Sequence, residues 1–229
     1  MKRFIAFCLV ICFWQMAFAQ AKSSFLGVEV AYSADIWKHE DPGGYIVKSP
    51  LNSAIWGLNF RHMFSKYFFV EIGLYARQRK IGIAFSNNTS FIGHNSGAVI
   101  LPVRAGFTVP VIKQIISITP MAGLGLSMTS RDPAGRIDGA FDNENVNIEY
   151  SITPSYKGES HALVLAGLGI DFRVAKRAVI TLNSHFYSGL TKVVVQRAIY
   201  NVDGGPDQYA TSTNKGSFLA TGIGFRYKL

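Results

Sequence analysis

Beyond position 12 the sequence contains no cysteine, because its two thiols are Cys8 and Cys12. The body of the chain therefore has no disulfide framework, no zinc–cysteine site and no cysteine nucleophile. Charge is scarce as well: Asp, Glu, Lys and Arg make up 16% of the 229 residues, against about 25% in ordinary soluble chains. After the first twenty positions there is no apolar run of the ~20 residues that a membrane helix needs. Acids are the rarer sign, 14 against 23 Lys and Arg, for a net charge of +9. The basic residues are scattered, so they point to lipid phosphates and anionic sugars as neighbours and not to nucleic acid. An apolar, charge-poor chain without a membrane helix fits a β-barrel, whose strands hide their apolar residues by alternation.

The start of the chain reads as a secretory signal peptide. Lys2 and Arg3 supply the positive end, Phe4 to Trp14 the apolar core, and Ala17-Phe18-Ala19 a cleavage site. Residues 1–19 are expected to be removed, with the cut between Ala19 and Gln20, and 20–229 to form one barrel. A lipoprotein signal at Cys12 would want a small residue before it, and Ile11 is not one.

Eight segments alternate apolar and small or polar residues with strand-type chemistry. They are predicted near Phe25–Ser33, Ser53–His62, from Tyr67 to Arg77, Leu101–Thr108, Ile115–Thr129, Val164–Arg173, Ile180–Phe186 and Leu219–Tyr227. Each puts residues such as Val28, Trp56, Ile72, Val103, Leu124, Leu168, Leu182 and Ile223 on one face, with glycine, small or charged residues on the other. Periodicity alone does not say which face is inside, since a soluble sandwich alternates too. Two features select the membrane. Phe64–Lys66, Pro110–Gln114 and Ala175–Arg177 are short connections, whereas Asp35–Asn52, Ser86–Gly97, Ser130–Ser160 and Thr191–Gly216 are long and polar. Short periplasmic turns and long extracellular loops are the transmembrane-barrel pattern. Phe60, Phe68, Phe107, Phe172, Phe225 and Tyr227 also gather near the short-turn ends, as an interfacial girdle does, with Trp56 and Phe186 assigned to an upper one. The expected fold is all-β: an eight-stranded antiparallel up-and-down transmembrane barrel in a bacterial outer membrane, with both termini periplasmic.

The lumen-facing charges form the most informative polar set. Glu29, Glu71 and Asp171 are expected to share the interior with Arg61, Arg77, Arg104 and Arg173, while Arg226 and Lys228 sit at the periplasmic rim. An eight-stranded interior is just wide enough for side chains to fill, and an isolated charge there is costly, so the acids and arginines should pair. The alternative is a gate or narrow anion path favoured by the excess of arginine. His185 and Ser188 invite comparison with outer-membrane lipid hydrolases, but three residues apart on a strand they point to opposite faces. No catalytic, cofactor or metal residues are expected. Gly123-Leu124-Gly125 and Gly167-Leu168-Gly169 lack the strand-to-helix setting of a nucleotide loop. The acids of the third loop, Asp132, Asp138, Asp142, Glu144, Glu149 and Glu159, lack the order of a calcium loop. Val193, Val195 and the Asp203-Gly204-Gly205-Pro206 turn suggest a hairpin rising above the membrane, whose edge could add a strand to a partner.

Several segments carry a resemblance: Ile100-Leu101-Pro102-Val103, Ala122-Gly123-Leu124-Gly125, Ala166-Gly167-Leu168-Gly169-Ile170, Tyr187-Ser188-Gly189-Leu190-Thr191 and the terminal Gly224-Phe225-Arg226-Tyr227-Lys228-Leu229. They resemble the small outer-membrane barrels common in Bacteroidota, PorT-like proteins among them, with OmpA- and OmpX-like architecture. The last strand looks like the signal read by the barrel-assembly machinery, although Leu229 stands where that family usually has an aromatic. The expected function is that of a non-enzymatic barrel, structural or surface-interacting, with a lumen plugged by side chains; the resemblance implies the alternative, an accessory subunit of a secretion or assembly machine. Its expected partners are outer-membrane lipid and lipopolysaccharide, the assembly machinery, and an envelope protein met through the loops.

Overall fold

The computed structural model describes residues 23–47, 52–86, 88–112, 115–129, 135–143, 146–156 and 160–229. The expected signal peptide, with Ala19 and Gln20, lies outside the described residues. Thirteen strands form among them: β1 (Ser23–Glu40), β2 (Ile46–Val47), β3 (Asn52–Met63), β4 (Phe68–Phe85), β5 (Asn88–Phe107), β6 (Val109–Ile112), β7 (Ile116–Thr129), β8 (Ile137–Asn143), β9 (Val146–Tyr156), β10 (Ser160–Arg173), β11 (Ala178–Gly189), β12 (Val194–Val202) and β13 (Gln208–Lys228).

Eight of these close a cylinder. Antiparallel pairing runs β1-β3-β4-β5-β7-β10-β11-β13, and β13 returns to β1 with Phe25 opposite Lys228 and Val30 opposite Ile223. The alternation in the sequence sets which way each side chain points. Leu26, Val28, Val30 and Tyr32 are exposed on the outer face of β1, while Gly27, Glu29, Ala31 and Ser33 are buried inside. The same split holds on the other barrel strands, with Trp56, Leu74, Val103, Leu124, Leu168, Leu182 and Ile223 outward. On β1 the outward apolar residues run from Leu26 to Ile36 before Lys38 interrupts them. That is the ~9–11 residues a tilted strand uses to cross a hydrocarbon core. An apolar face this exposed is stable only in lipid.

The short-turn end matches expectation in kind. Ser65 Oγ accepts hydrogen bonds from the Tyr67 and Phe68 amides at 3.2 and 3.0 Å, fixing the β3–β4 turn. Phe68 and Phe107 pair across neighbouring strands with ring centres 5.5 Å apart. Of the predicted turn Pro110–Gln114, residues 110–112 belong to β6, which pairs back on β7, and 113–114 lie outside the described residues.

The other end differs from expectation. The segments predicted as long polar loops are largely strand. β1 runs seven residues past Ser33, and β4 and β5 climb together until Phe85 lies opposite Asn88. The third loop contains the β8–β9 hairpin, and the fourth is the predicted β12–β13 hairpin. Asp203 and Gly204 take positive φ, 53° and 68°, at the start of the connection 203–207, where the Gly205 amide donates to the Val202 carbonyl at 2.9 Å. The expected free edge on β12 is taken by β9, so the outermost strand of this sheet is β8.

These strands make a second core above the barrel. Ile83 and Phe85 of β4 pack with Ile148 and Ile152 of β9, Ala198 and Tyr200 of β12 and Ala210 of β13. Tyr200 donates a 2.6 Å hydrogen bond to Asp41 Oδ1, and the same carboxylate group accepts the Ile46 amide at 2.6 Å through Oδ2. Burial and the Asp41 carboxylate push the Tyr200 phenol above its ordinary pKa. Where barrel and extension meet, β13 changes partner from β11 to β12. Gly216 sits at that change with φ 78°, and a Cβ there would come 2.2 Å from the His161 ring. Only glycine suits both demands.

Candidate functional site

The interior is stacked in levels that follow from the inward residues of each strand. At the short-turn mouth a cavity of about 510 Å³ opens between the strand ends. Among the described residues its charged lining is Arg61, Lys66, Arg173, Lys176, Arg226 and Lys228 with one acid, Asp171.

Above it lies an ion-pair level of three acids and three arginines. Arg61 on β3 holds Glu71 on β4, Nε to Oε2 at 2.8 Å, and reaches Asp171 Oδ2 at 3.5 Å. Arg226 on β13 pairs with the other Asp171 oxygen. Arg104 on β5 lies 3.3 Å from Glu71 Oε1 and 3.8 Å from Glu29 Oε2. Tyr75 donates to Glu29 at 2.8 Å. Arg61 also stacks over the Phe69 ring at 3.8 Å. All but Asp171 are buried residues. The charges balance within the level, which is the condition for holding ions in a narrow bore.

His185 lies in this level, as its inward position on β11 predicts, with Nε2 3.0 Å from Arg104 Nη1 and 3.4 Å from Glu29 Oε1. The atom has one role at a time. Accepting from Arg104 needs the proton on Nδ1, and donating to Glu29 needs it on Nε2. Gly167 opposite leaves the space for the ring, since a Cβ there would stand 2.2 Å from Nδ1. Ser184 and Ser188 lie on the other face of β11, and Ser184 shares a 3.1 Å hydrogen bond with Thr221 instead. No serine on this strand meets the histidine.

The next level is apolar. Ile55, Tyr75, Ile100, Leu163, Leu165, Tyr187 and Phe218 form one buried cluster, with Tyr187 stacked on Phe218 at 4.3 Å. Above it Arg77 on β4 pairs with Asp35 on β1 at 2.9 Å, donates to Ser33 Oγ at 3.0 Å and lies 3.7 Å over the Phe218 ring. Arg79 follows, donating to Asn214 Oδ1 at 2.9 Å and Thr129 Oγ1 at 3.3 Å. Trp37, Ile81, Val193 and Val194 close the bore beneath the extension core.

Of the seven charges predicted to share the lumen, Glu29, Arg61, Glu71, Arg104 and Asp171 meet in one level. Arg77 sits in a separate, higher pair. Arg173 is corrected: it is exposed at the end of β10, because that strand ends there and its side chain reaches the mouth and not the interior. Arg226, predicted at the rim, takes the inner place, because β13 runs two residues beyond it. Asp35, in a segment predicted as loop, lies on the inner face of β1, and the inward alternation Ser33, Asp35, Trp37 is the signal that the strand continues. Among the remaining histidines, His62 shares a 2.9 Å hydrogen bond with Ser24 and His39 a 2.6 Å one with Ser212.

No protein-family profile matches the chain, and no curated protein matches it. Solved outer-membrane barrels do. OprG from Pseudomonas aeruginosa covers 92% of this chain and 98% of its own, at 11% identity and a TM-score of 0.55. Ail, the attachment invasion locus protein of Yersinia pestis, covers 91% and 100% at 15% identity and 0.43. The outer membrane protease OmpT of Escherichia coli covers 93% and 100% at 9% identity and 0.42. The closed sheet, its apolar belt and the likeness to OprG define the fold: a small transmembrane β-barrel of the outer-membrane kind. Within that class this chain is an eight-stranded barrel with a filled bore and a strand-built extension at one end.

Proposed function

We propose that the protein is a non-enzymatic component of a bacterial outer membrane, a closed barrel that carries its extension as an interaction surface. The short turns and both termini lie on the periplasmic side in this reading, and the extension faces outward. Outer-membrane lipid and lipopolysaccharide surround the belt, and the barrel-assembly machinery receives the alternating last strand. The observation that carries the reading is the succession of side-chain barriers along one bore: the ion pairs around Glu71, the Tyr187–Phe218 stack, the Arg77–Asp35 pair and the Trp37–Ile81 cluster. A channel would need a water path past all four. His185, the histidine that the sequence sets beside Ser184 and Ser188, is held by Arg104 and Glu29 and faces Gly167, so it does not serve as base to a serine of β11. Reconstituted in a planar bilayer, the native protein should stay closed, or open rarely with anion preference. Steady, large and reproducible conductance steps would overturn the closed-barrel reading in favour of a channel.

A second reading, an accessory subunit of a secretion or assembly machine, is favoured by the outer sheet. Its last strand, β8, pairs on one side with β9 and leaves the other side open among the described residues. An open edge of this kind accepts a partner strand. The resemblance to PorT-like proteins points the same way. Pull-down from mild detergent, with and without residues 137–143 replaced by a charged loop, tests it: one stoichiometric envelope partner lost with the edge supports an accessory role.

A further inference from the structure

The cavity at the short-turn mouth has a charge imbalance that the ion-pair level above it lacks. Asp171 is its one acid among the described residues, and it is already held by Arg61 and Arg226. Four further cations ring the opening from four separate places: Lys66 in the β3–β4 turn, Arg173 at the end of β10, Lys176 in the β10–β11 turn and Lys228 at the end of β13. None of the four makes an ion pair among the described residues. Lys66 instead lies 5.3 Å from the centre of the Tyr67 ring. Hydroxyls of Ser23, Ser65, Thr108 and Ser117 and apolar groups of Phe25, Met63, Ile115 and Val179 also line the wall. The floor is the balanced ion-pair level, so the cavity is a recess and its field is not cancelled from below.

We propose that this recess binds a small, multiply charged phosphate-bearing anion, such as a pyrophosphate or a phosphorylated sugar. Its volume of about 510 Å³ falls in the ordinary range for ligand sites, ~300–1,000 Å³. A monocarboxylate would answer one of the four rim cations. A pyrophosphate group spreads several charges over oxygens that face different directions, as the four cations do, and both lysine and arginine bind such oxygens well. Low-dielectric walls lined by one sign of charge also concentrate the opposite ion at the mouth. The inference holds whichever side of the membrane the mouth faces, and it does not require the bore to be closed.

The test uses the full mature chain refolded in phosphatidylcholine nanodiscs, titrated calorimetrically with inorganic pyrophosphate at low ionic strength. One saturable site per barrel is expected, at least tenfold tighter than for orthophosphate, and weakening as salt is added. The double variant Lys176→Gln with Lys228→Gln should lose at least tenfold in affinity. Lys38→Gln, on the exposed extension far from the recess, should bind as the native chain does. Unboiled-gel mobility checks that each variant is folded. Nanodiscs containing phosphatidylglycerol distinguish the source: loss of pyrophosphate binding there, but not in nanodiscs given the same negative charge by a fatty acid, assigns the same phosphate site to lipid headgroups. Absence of a saturable site, equal affinity in the double variant, or tighter binding of an oligoglutamate peptide than of pyrophosphate would overturn the proposal.

Discussion

Glu71 touches two arginines at once, 2.8 Å from Arg61 and 3.3 Å from Arg104. Its removal should be among the most damaging single changes inside the barrel. Breaking a buried pair leaves a charge without compensation and costs about 3–5 kcal/mol. Both arginines keep a second acid, Asp171 for Arg61 and Glu29 for Arg104, so Glu71→Ala should fall near the lower end of that range. Glu71→Ala with Arg104→Ala together should recover roughly half of the loss, since coupled neighbours are not additive. Loss of the folded gel band with temperature measures both. If the double variant is no more stable than the single one, Arg104 is not the charge left stranded. At this scale the sequence was legible in kind but not in register. Glycine and charge on one face marked the lumen, yet the height of a side chain depends on where each strand starts. Arg173 and Arg226 therefore exchanged places, one at the mouth and one in the network.

At the scale of the strand, alternation was readable wherever one face meets lipid and the other the lumen. On β4 it stops after Arg79: Ile81, Gly82, Ile83, Ala84 and Phe85 are buried in succession. There the strand is covered on both faces by the extension core, and a continuous run replaces the period of two. The segment 130–160 hid its strands for the opposite reason, because much of that sheet faces water and its polar residues resemble a loop. The lipid-facing strands yield the sharper prediction. Leu168 on β10 is half exposed in the middle of the apolar belt, opposite Pro120 and Ser184. Leu168→Arg should cost ~2–4 kcal/mol at the bilayer midplane and reduce the inserted fraction in membrane preparations. Thr211→Arg, above the belt on β13, should insert normally. Equal insertion of both would mean that Leu168 does not face lipid.

For the whole molecule, the eight-strand cylinder and its closure followed from counting alternating segments, and the β1–β13 seam confirmed it. The second core above the bore was not countable, since its residues are drawn from β2, β4, β5, β8, β9, β12 and β13. A closed barrel whose apolar face points outward should behave unlike a soluble β protein. In detergent it should run faster on an unboiled gel than after boiling, with a β-type circular dichroism spectrum before heating. A folded protein that stays in solution without detergent would refute the membrane assignment.

The change of partner along β13 has a consequence in time. This strand closes the cylinder against β1, two hundred positions earlier in the chain, and its far half is the rail on which β12, and through it β9 and β8, are mounted. It follows the other twelve strands in the chain, so it leaves any export or synthesis machinery after them. Pairing so distant in sequence forms late, because a long stretch of chain must be ordered before it gains anything in return. The outer sheet therefore has no complete template until β13 has arrived. A surface built this way is displayed only by molecules that have finished closing, so the extension reports on assembly as well as resting upon it.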